Sequence, residues 1–179
     1  MRELIYNQTQ IPKDKWRYGF RSSANVGCGW IATSNALVRM GYDVDVEKLI
    51  RCYERQVPLV HGNAGTLVFG PGLLLKKWGF PVTITADPRQ FDRVCKSTDV
   101  SILFYFWRSG LRLGRHFVAV EYREGNFIGY NTYYNSLGPD SYGPSLGDFL
   151  KKQEEQTRLP HYYPPVFSHP REFVHRDAG

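Results

Sequence analysis

The sequence of 179 residues lacks a long apolar run. No stretch stays apolar over the roughly 20 residues that a membrane-spanning helix needs. The first residues, Met1 to Gln8, also lack the apolar core of a secretory signal peptide. We therefore expect a soluble cytoplasmic protein with no membrane partner.

Cysteine is scarce. Cys28, Cys52 and Cys95 are an odd number of thiols, at spacings that match neither a zinc knuckle nor a disulfide framework. The five histidines are scattered, and no paired ligand spacing occurs among them. The pattern predicts reduced thiols, no metal site and no cofactor.

Long basic runs are missing as well. The chain carries 23 basic and 17 acidic residues, for a net charge of +6. The lysines at 76–77 and 151–152 are only pairs, and Arg108, Arg112 and Arg115 are dispersed around a turn. A nucleic-acid-binding protein would show a contiguous basic face, so we expect no nucleic-acid partner. The excess charge favours solubility, and a mild preference for anionic partners is the alternative.

The chain shows no internal repeat and no linker, so residues 1–179 are predicted to form one domain. Residues 1–24 are expected to be extended and irregular. Helices are predicted at about 30–40, 45–53, 66–78, 88–95 and 145–152, and strands at 81–85, 100–107, 116–122 and 127–133. Helices followed by an antiparallel sheet indicate an α+β fold.

Three local expectations accompany this assignment. Asp45 and Ser145 are expected to cap their helices. Thr66 is expected to cap the third helix, and Gly70-Pro71 to break or kink it. The proline- and aromatic-rich segment 159–179 is expected to be a wrap or a disordered tail rather than another element.

Cys28 lies between two glycines at the expected start of the first helix. Free backbone N–H groups and the helix dipole favour an anion there, which predicts a lowered pKa for the thiol. The glycines allow a sharp bend and close approach of a substrate carbonyl. The alternative is a buried cysteine that only packs. A nucleophile also requires a base elsewhere in the chain.

His116 is the candidate base, because it opens a predicted strand. The remaining histidines lie in loops or in the tail, at His61, His161, His169 and His175. The alternative is a strand-end histidine that is bonded to the backbone. A nucleophile and base also need a third group that orients the imidazole.

The hairpin after His116 supplies such a group. If Glu124-Gly125 is a two-residue turn, Asn131 becomes a diagonal neighbour of His116 on the same face of the sheet. A change of one residue in the loop would turn Asn131 outward and leave Thr132 as the polar side chain near His116.

At these residues the sequence resembles papain-like cysteine peptidases, in the compact bacterial branch that includes the double-glycine leader peptidases of bacteriocin exporters. The resemblance is carried by the segment Val26–Leu37 around Cys28, by the strand His116–Val120, and by Asn131 about fifteen residues further on. It covers about residues 5–40 and 100–135. It implies a papain-like fold, in which the nucleophile helix packs on a C-terminal antiparallel sheet.

Two departures from the family pattern concern the surroundings of Cys28. The family keeps a glutamine upstream of the cysteine to hold the oxyanion. Serines occupy the closer region here, so we assign this role to Gln8, which follows an apolar, strand-like stretch, rather than to Gln10. Trp30 stands where the family usually has proline or a small residue.

The resemblance implies hydrolysis of a peptide or amide bond through a thioester. Cys28 would attack the carbonyl, His116 would transfer the proton, Asn131 would orient the ring and Gln8 would help to hold the oxyanion. An amidase, deamidase or acyltransferase of the same fold remains an alternative, and so does a catalytically inactive binding protein.

Overall fold

The computed structural model describes residues 2–56, 58, 61, 64–109, 111–132, 135–157, 161–162 and 166–170. A short 3-10 helix spans Gln8–Gln10. The α-helices are α1 (Ser23–Val26), α2 (Cys28–Arg39), α3 (Val46–Gln56), α4 (Gly70–Lys77), α5 (Pro88–Lys96) and α6 (Leu146–Thr157). The strands are β1 (Arg17–Tyr18), β2 (Arg21–Ser22), β3 (Thr83–Thr85), β4 (Thr98–Ser109), β5 (Arg112–Arg123), β6 (Asn126–Tyr130), β7 (Asp140–Gly143), β8 (His161–Tyr162) and β9 (Val166–Pro170).

The main sheet is antiparallel and has the strand order β3-β9-β4-β5-β6-β7, with β8 also paired to β4. Strands β1 and β2 form a separate small hairpin. The sheet and its helices confirm the predicted α+β class. None of the helices within the described ranges is both long and apolar enough to cross a bilayer.

The hairpin of β5 and β6 has the predicted register. Arg123 lies opposite Asn126, and Glu124 and Gly125 both have positive φ angles, of 52° and 82°. This is the geometry of a two-residue type I′ turn, whose twist matches that of the flanking strands. Asn131 is therefore the first residue after β6.

Helices cover both faces of the sheet. Phe104, Phe117 and Ala119 belong to the core cluster that contains the buried side chains of α2, whereas Tyr105 and Val118 belong to the cluster that contains those of α5 and α6. The side chains of neighbouring residues in a strand point to opposite faces of the sheet, so alternate residues of β4 and β5 belong to alternate clusters. Helix α2, which begins at Cys28, thus packs on β4 and β5, as expected.

The expected helix caps are found at α3 and α6. Asp45 Oδ1 accepts the backbone N–H of Lys48 at 2.9 Å. Ser145 Oγ accepts the N–H of Asp148, and the Asp148 carboxylate accepts the N–H of Ser145, which is a reciprocal capping box.

The expectation for the third helix is wrong in two respects. Helix α4 begins at Gly70, so Gly70-Pro71 starts the helix instead of breaking or kinking it. Proline is tolerated in the first turn because its missing N–H would have no partner there. Thr66 does not cap α4, but forms an isolated β-bridge with Pro58 and is buried.

Both ends of the chain contain more structure than expected. The first 24 residues include the 3-10 helix, the β1–β2 hairpin and the start of α1. The segment 159–179 was expected to form no element, but its described part contains β8 and β9. Strand β9 lies between β3 and β4 and pairs with both, so it covers an edge of β4 that would otherwise expose unpaired backbone groups.

Candidate active site

The two glycines beside Cys28 are required by packing. A Cβ atom on Gly29 would lie 2.4 Å from Thr66 Oγ1, and one on Gly27 would lie 2.7 Å from Trp30 Nε1. The Trp30 Nε1–H donates to Ser23 Oγ at 3.1 Å, which fixes the indole against the turn between α1 and α2. Trp30 is fully buried, so its side chain belongs to the core.

The Cys28 thiol is half-buried at the first position of α2. Burial raises its pKa, although the N–H groups of Phe117 and Gly29 and the positive charge of Arg115 act in the opposite direction. The predicted lowering of this pKa is therefore wrong. The helix dipole typically contributes about 1 kcal/mol or less, and desolvation of a thiolate outweighs it. The thiol is neutral at neutral pH.

Two buried tyrosines stand near the thiol. The Tyr18 hydroxyl accepts a hydrogen bond from Thr66 Oγ1 at 3.3 Å, and the Tyr53 hydroxyl shares a short hydrogen bond with Thr33 Oγ1. Burial raises the pKa of Tyr18 to about 12, and it also raises the pKa of Tyr53 far above its ordinary range. Both hydroxyls therefore keep their protons beside Cys28.

The His116 imidazole is bonded to the backbone. His116 Nε2 lies 2.6 Å from the carbonyl oxygen of Asn131, and the ring contacts Tyr105 edge-on, with centroids 5.7 Å apart. A carbonyl can only accept, so Nε2 carries the proton and Nδ1 carries the lone pair in the neutral ring. Burial lowers the pKa of His116 more than this hydrogen bond raises it. The imidazole is thus neutral at neutral pH.

Asn131 binds His116 in a different way from the one expected. Its side chain bonds to Gln8: Oδ1 accepts the Gln8 backbone N–H at 2.7 Å, and Nδ2 donates to Gln8 Oε1 at 3.2 Å. Only its backbone carbonyl bonds to the imidazole. The strand ends at Tyr130, and Asn131 adopts a left-handed conformation with φ of 64°, so the alternation of side chains along β6 stops there. The register alternative that involved Thr132 does not apply.

Gln8 lies within this network. Its Nε2 donates to the Ala24 carbonyl at 3.1 Å, while its Oε1 accepts from Asn131. Gln8 therefore ties the N-terminal segment to α1, which directly precedes the turn to Cys28. One N–H of its amide remains for another acceptor.

The structure thus connects Gln8, Asn131 and His116 by direct hydrogen bonds. Cys28 has only an indirect relation to His116, because the backbone N–H of Phe117, the next residue along β5, works against the rise in the Cys28 pKa. No hydrogen bond joins the Cys28 Sγ and the His116 imidazole in the described part of the chain. Within the same part, no cluster of three histidine, cysteine, aspartate or glutamate side chains could hold a metal ion.

Sequence reasoning missed Arg115 and Thr66 as neighbours of Cys28. Arg115 Nη2 donates to the Ala64 carbonyl at 2.7 Å, so the start of β5 is joined to the loop that carries Thr66. The position of Arg115 directly before His116 could have indicated that Arg115 lies near the candidate site. Nothing in the local sequence around Thr66 indicates that it packs against Gly29, 37 positions away.

No protein-family model and no curated protein matches the chain. Among solved structures, the chain is similar to the crystal structure of the Pseudomonas avirulence protein AvrPphB, with a TM-score of 0.46 and 10% sequence identity. That similarity covers 82% of this chain and 92% of the other. The assignment of a family and an activity therefore depends on the residues of the chain itself.

Proposed function

We propose that this chain is a papain-like cysteine hydrolase that cleaves a peptide or amide bond through a thioester at Cys28. The observation that carries the proposal is that Cys28 begins α2, and that α2 packs on β5, the strand of His116. The backbone N–H of Phe117, the neighbour of His116, also works against the rise in the Cys28 pKa. The helix that carries the nucleophile and the strand that carries the base are thus packed together, which supports the proposal. Cytoplasmic location and membership of the compact bacterial branch belong to the same proposal.

The backbone of His116 supports this assignment because it directly precedes Phe117, whereas the His116 ring packs against Tyr105 on the other face of the sheet. By covalent geometry the Phe117 nitrogen is about 2.4 Å from the His116 Cα. The His116 Cα is therefore close enough to Cys28 for a histidine side chain to span the distance to Sγ. Catalytic hydrogen bonds are often long or poorly aligned until substrate binds. The reaction requires the imidazole to turn its Nδ1 toward Sγ, while Nε2 keeps the Asn131 carbonyl as its partner.

The protonation states suit a general-base mechanism. A neutral thiol and a neutral imidazole with a free lone pair on Nδ1 can react together: Sγ bonds to the substrate carbonyl carbon as its proton passes to Nδ1. The Cys28 backbone N–H, and the second amide N–H of Gln8, would then hold the oxyanion. His116 next protonates the leaving amine, and a water molecule, deprotonated by the same imidazole, hydrolyses the thioester.

A catalytically inactive binding protein is the second candidate. The absence of a hydrogen bond between Cys28 Sγ and the His116 imidazole, among the residues that the structure describes, favours it. An amidase, deamidase or acyltransferase would share the first half of the mechanism. These enzymes differ from a peptidase in the group that receives or releases the acyl chain.

Alkylation with iodoacetamide, followed by mass-spectrometric mapping, tests the proposal. At pH 7.5 we expect His116→Ala to slow alkylation of Cys28 by about tenfold or more, the usual effect of losing a positioned base. Cys52 should react at an unchanged rate, and so should Cys28 in the matched variant His61→Gln. Equal rates of Cys28 alkylation in the wild type and in His116→Ala would contradict the proposal that the chain is an enzyme.

A library of quenched fluorescent peptides tests hydrolysis directly. We expect cleavage that is abolished by Cys28→Ala and by His116→Ala. If Cys28 alkylation depends on His116 but no peptide is cleaved, a non-peptide amide should be tested next, with release of ammonia or amine as the readout. If neither dependence nor cleavage is found, the inactive binding protein is the correct interpretation.

A further inference from the structure

Arg115 is exposed at the start of β5, directly before His116. Its strand position has the same parity as Phe117, so it belongs to the face of the sheet that packs on α2. Its Nη2 donates to the Ala64 carbonyl at 2.7 Å. The guanidinium is therefore held at the end of the sheet where α2 begins.

The loop that holds Arg115 also borders Cys28. Thr66, two residues after Ala64, packs against Gly29 and occupies the space that a side chain at position 29 would need. The charge of Arg115 reaches the Cys28 thiol and works against the rise in its pKa. Arg115 is thus a cation at the rim of the site, with its position set by a backbone carbonyl.

Arg115 has no carboxylate partner among the described residues. Several other arginines do have one, such as Arg39 with Glu121 and Arg89 with Asp87. Of the five N–H donors of its guanidinium, the Ala64 carbonyl uses only one. A planar donor group of this kind fits a carboxylate through two parallel hydrogen bonds.

We propose that Arg115 is a specificity residue that binds a carboxylate of the substrate beside the bond that Cys28 attacks. The inference rests on the proposed function and names its substrate class: peptides or amides with an acidic group next to the scissile bond. The net charge of +6 adds long-range attraction for such substrates.

Two small alkylating agents of nearly equal shape test this site without a known substrate. Iodoacetate carries a carboxylate and iodoacetamide does not. We measure the ratio of their rate constants at Cys28, so that a change in thiol reactivity cancels. In Arg115→Gln this ratio should fall about fivefold, as expected for one unit charge several ångströms away at the protein surface. Arg115→Lys should retain most of it, and added salt should reduce it in the wild type.

Arg123→Gln is the matched control, because Arg123 lies at the other end of β5 and pairs with the exposed Glu124. Arg123→Gln should leave the ratio at Cys28 unchanged. The same ratio measured at Cys52 should be equal in the wild type and in every variant. An unchanged ratio in Arg115→Gln overturns the proposal. If Arg115→Gln does not fold, as judged by thermal unfolding, a wild-type ratio at Cys28 no higher than at Cys52 overturns it instead.

Peptide pairs that differ only by glutamate or glutamine next to the cleaved bond complete the test. The wild type should favour the glutamate peptide, and Arg115→Gln should lose that preference. Cleavage without any such preference overturns the role of Arg115 but leaves the hydrolase intact. An Arg115-dependent alkylation ratio with no dependence on His116 supports the anion site and overturns the proposed function.

Discussion

The side chain of Asn131 pairs with Gln8 through two hydrogen bonds, one to its backbone N–H at 2.7 Å and one to its amide oxygen at 3.2 Å. The two residues are 123 positions apart in the chain. Since the carbonyl of Asn131 also accepts from His116, the N-terminal segment and the imidazole depend on the same residue. Asn131 thus supports the candidate site from the backbone, while its side chain anchors the N-terminal segment.

Removal of the Asn131 side chain should destabilise the fold. In Asn131→Gly both hydrogen bonds to Gln8 are lost, and we expect a decrease of about 2 kcal/mol in the free energy of unfolding. Asn131→Ala should cost about 1 kcal/mol more, because alanine disfavours the left-handed conformation with φ of 64°. Urea unfolding measures both values. Asn126→Ala is the control, because it removes only one exposed hydrogen bond within the hairpin. It should lower the free energy of unfolding by less than about 1 kcal/mol. Equal stability of the wild type and Asn131→Gly would contradict the pairing.

The contact between Gly29 and Thr66 predicts a specific rescue. Gly29→Ala would place a Cβ atom 2.4 Å from Thr66 Oγ1 and should cost about 3 kcal/mol through overpacking. Thr66→Gly removes the obstructing atoms, so the double variant should be more stable than the sum of the two single effects predicts. Gly138→Ala is the control, since a Cβ atom at that position would meet no described residue within 4 Å, and it should be neutral. Additive effects in a double-mutant cycle would rule out the contact.

The half-buried imidazole of His116 predicts that stability falls in mild acid. Burial lowers the pKa of His116 in the folded protein, so the unfolded chain takes up this proton first as the pH decreases below about 6.5. Stability from His116 is therefore complete above that pH and is lost as the pH falls toward the lower folded pKa. His116→Gln should flatten this part of the profile, measured as Tm between pH 8 and pH 5. The exposed His61 offers the comparison variant His61→Gln. A profile in His116→Gln identical to that of the wild type would disprove a desolvated neutral ring at position 116.

The ion pair between Arg39 and Glu121 holds the end of α2 against β5. Arg39 Nε and Nη2 donate to Glu121 Oε2 at 3.0 and 2.9 Å, and Tyr130 OH donates to Oε1 at 2.5 Å. Replacement of Glu121 by leucine leaves both partners unpaired in a mostly buried site, and we expect a loss of about 3 kcal/mol.

Glu47→Ala breaks the exposed pair with Arg51 and should cost less than about 0.5 kcal/mol. Guanidinium unfolding of both variants gives the comparison. Similar costs for the two would mean that the Arg39–Glu121 pair is not an important link between α2 and β5. Because the helix carries Cys28 and the strand carries His116, a loss at Glu121 should also slow alkylation of Cys28.

Much of the fold was predictable because its signals are local. The Glu124-Gly125 turn set the register of β5 and β6, since both turn positions require positive φ angles and two-residue loops admit few geometries. The position of Cys28 at or just before the first turn of α2 followed from the apolar periodicity after the Gly-Cys-Gly segment. Strand β9 was missed because its pairing with β3 and β4 depends on segments far away in the chain, whereas its prolines and aromatics resemble a tail.

The sequence by itself determined the candidate residues and the elements that carry them: Cys28 at a helix start, His116 on a strand, and Asn131 after the returning strand. Only the tertiary structure decided how they meet. The left-handed turn at Asn131 presents its carbonyl to His116 and its side chain to Gln8. Burial decided the charges, because desolvation keeps both thiol and imidazole neutral. Such effects depend on the atoms that surround a group in space, and these come from segments that are distant in sequence.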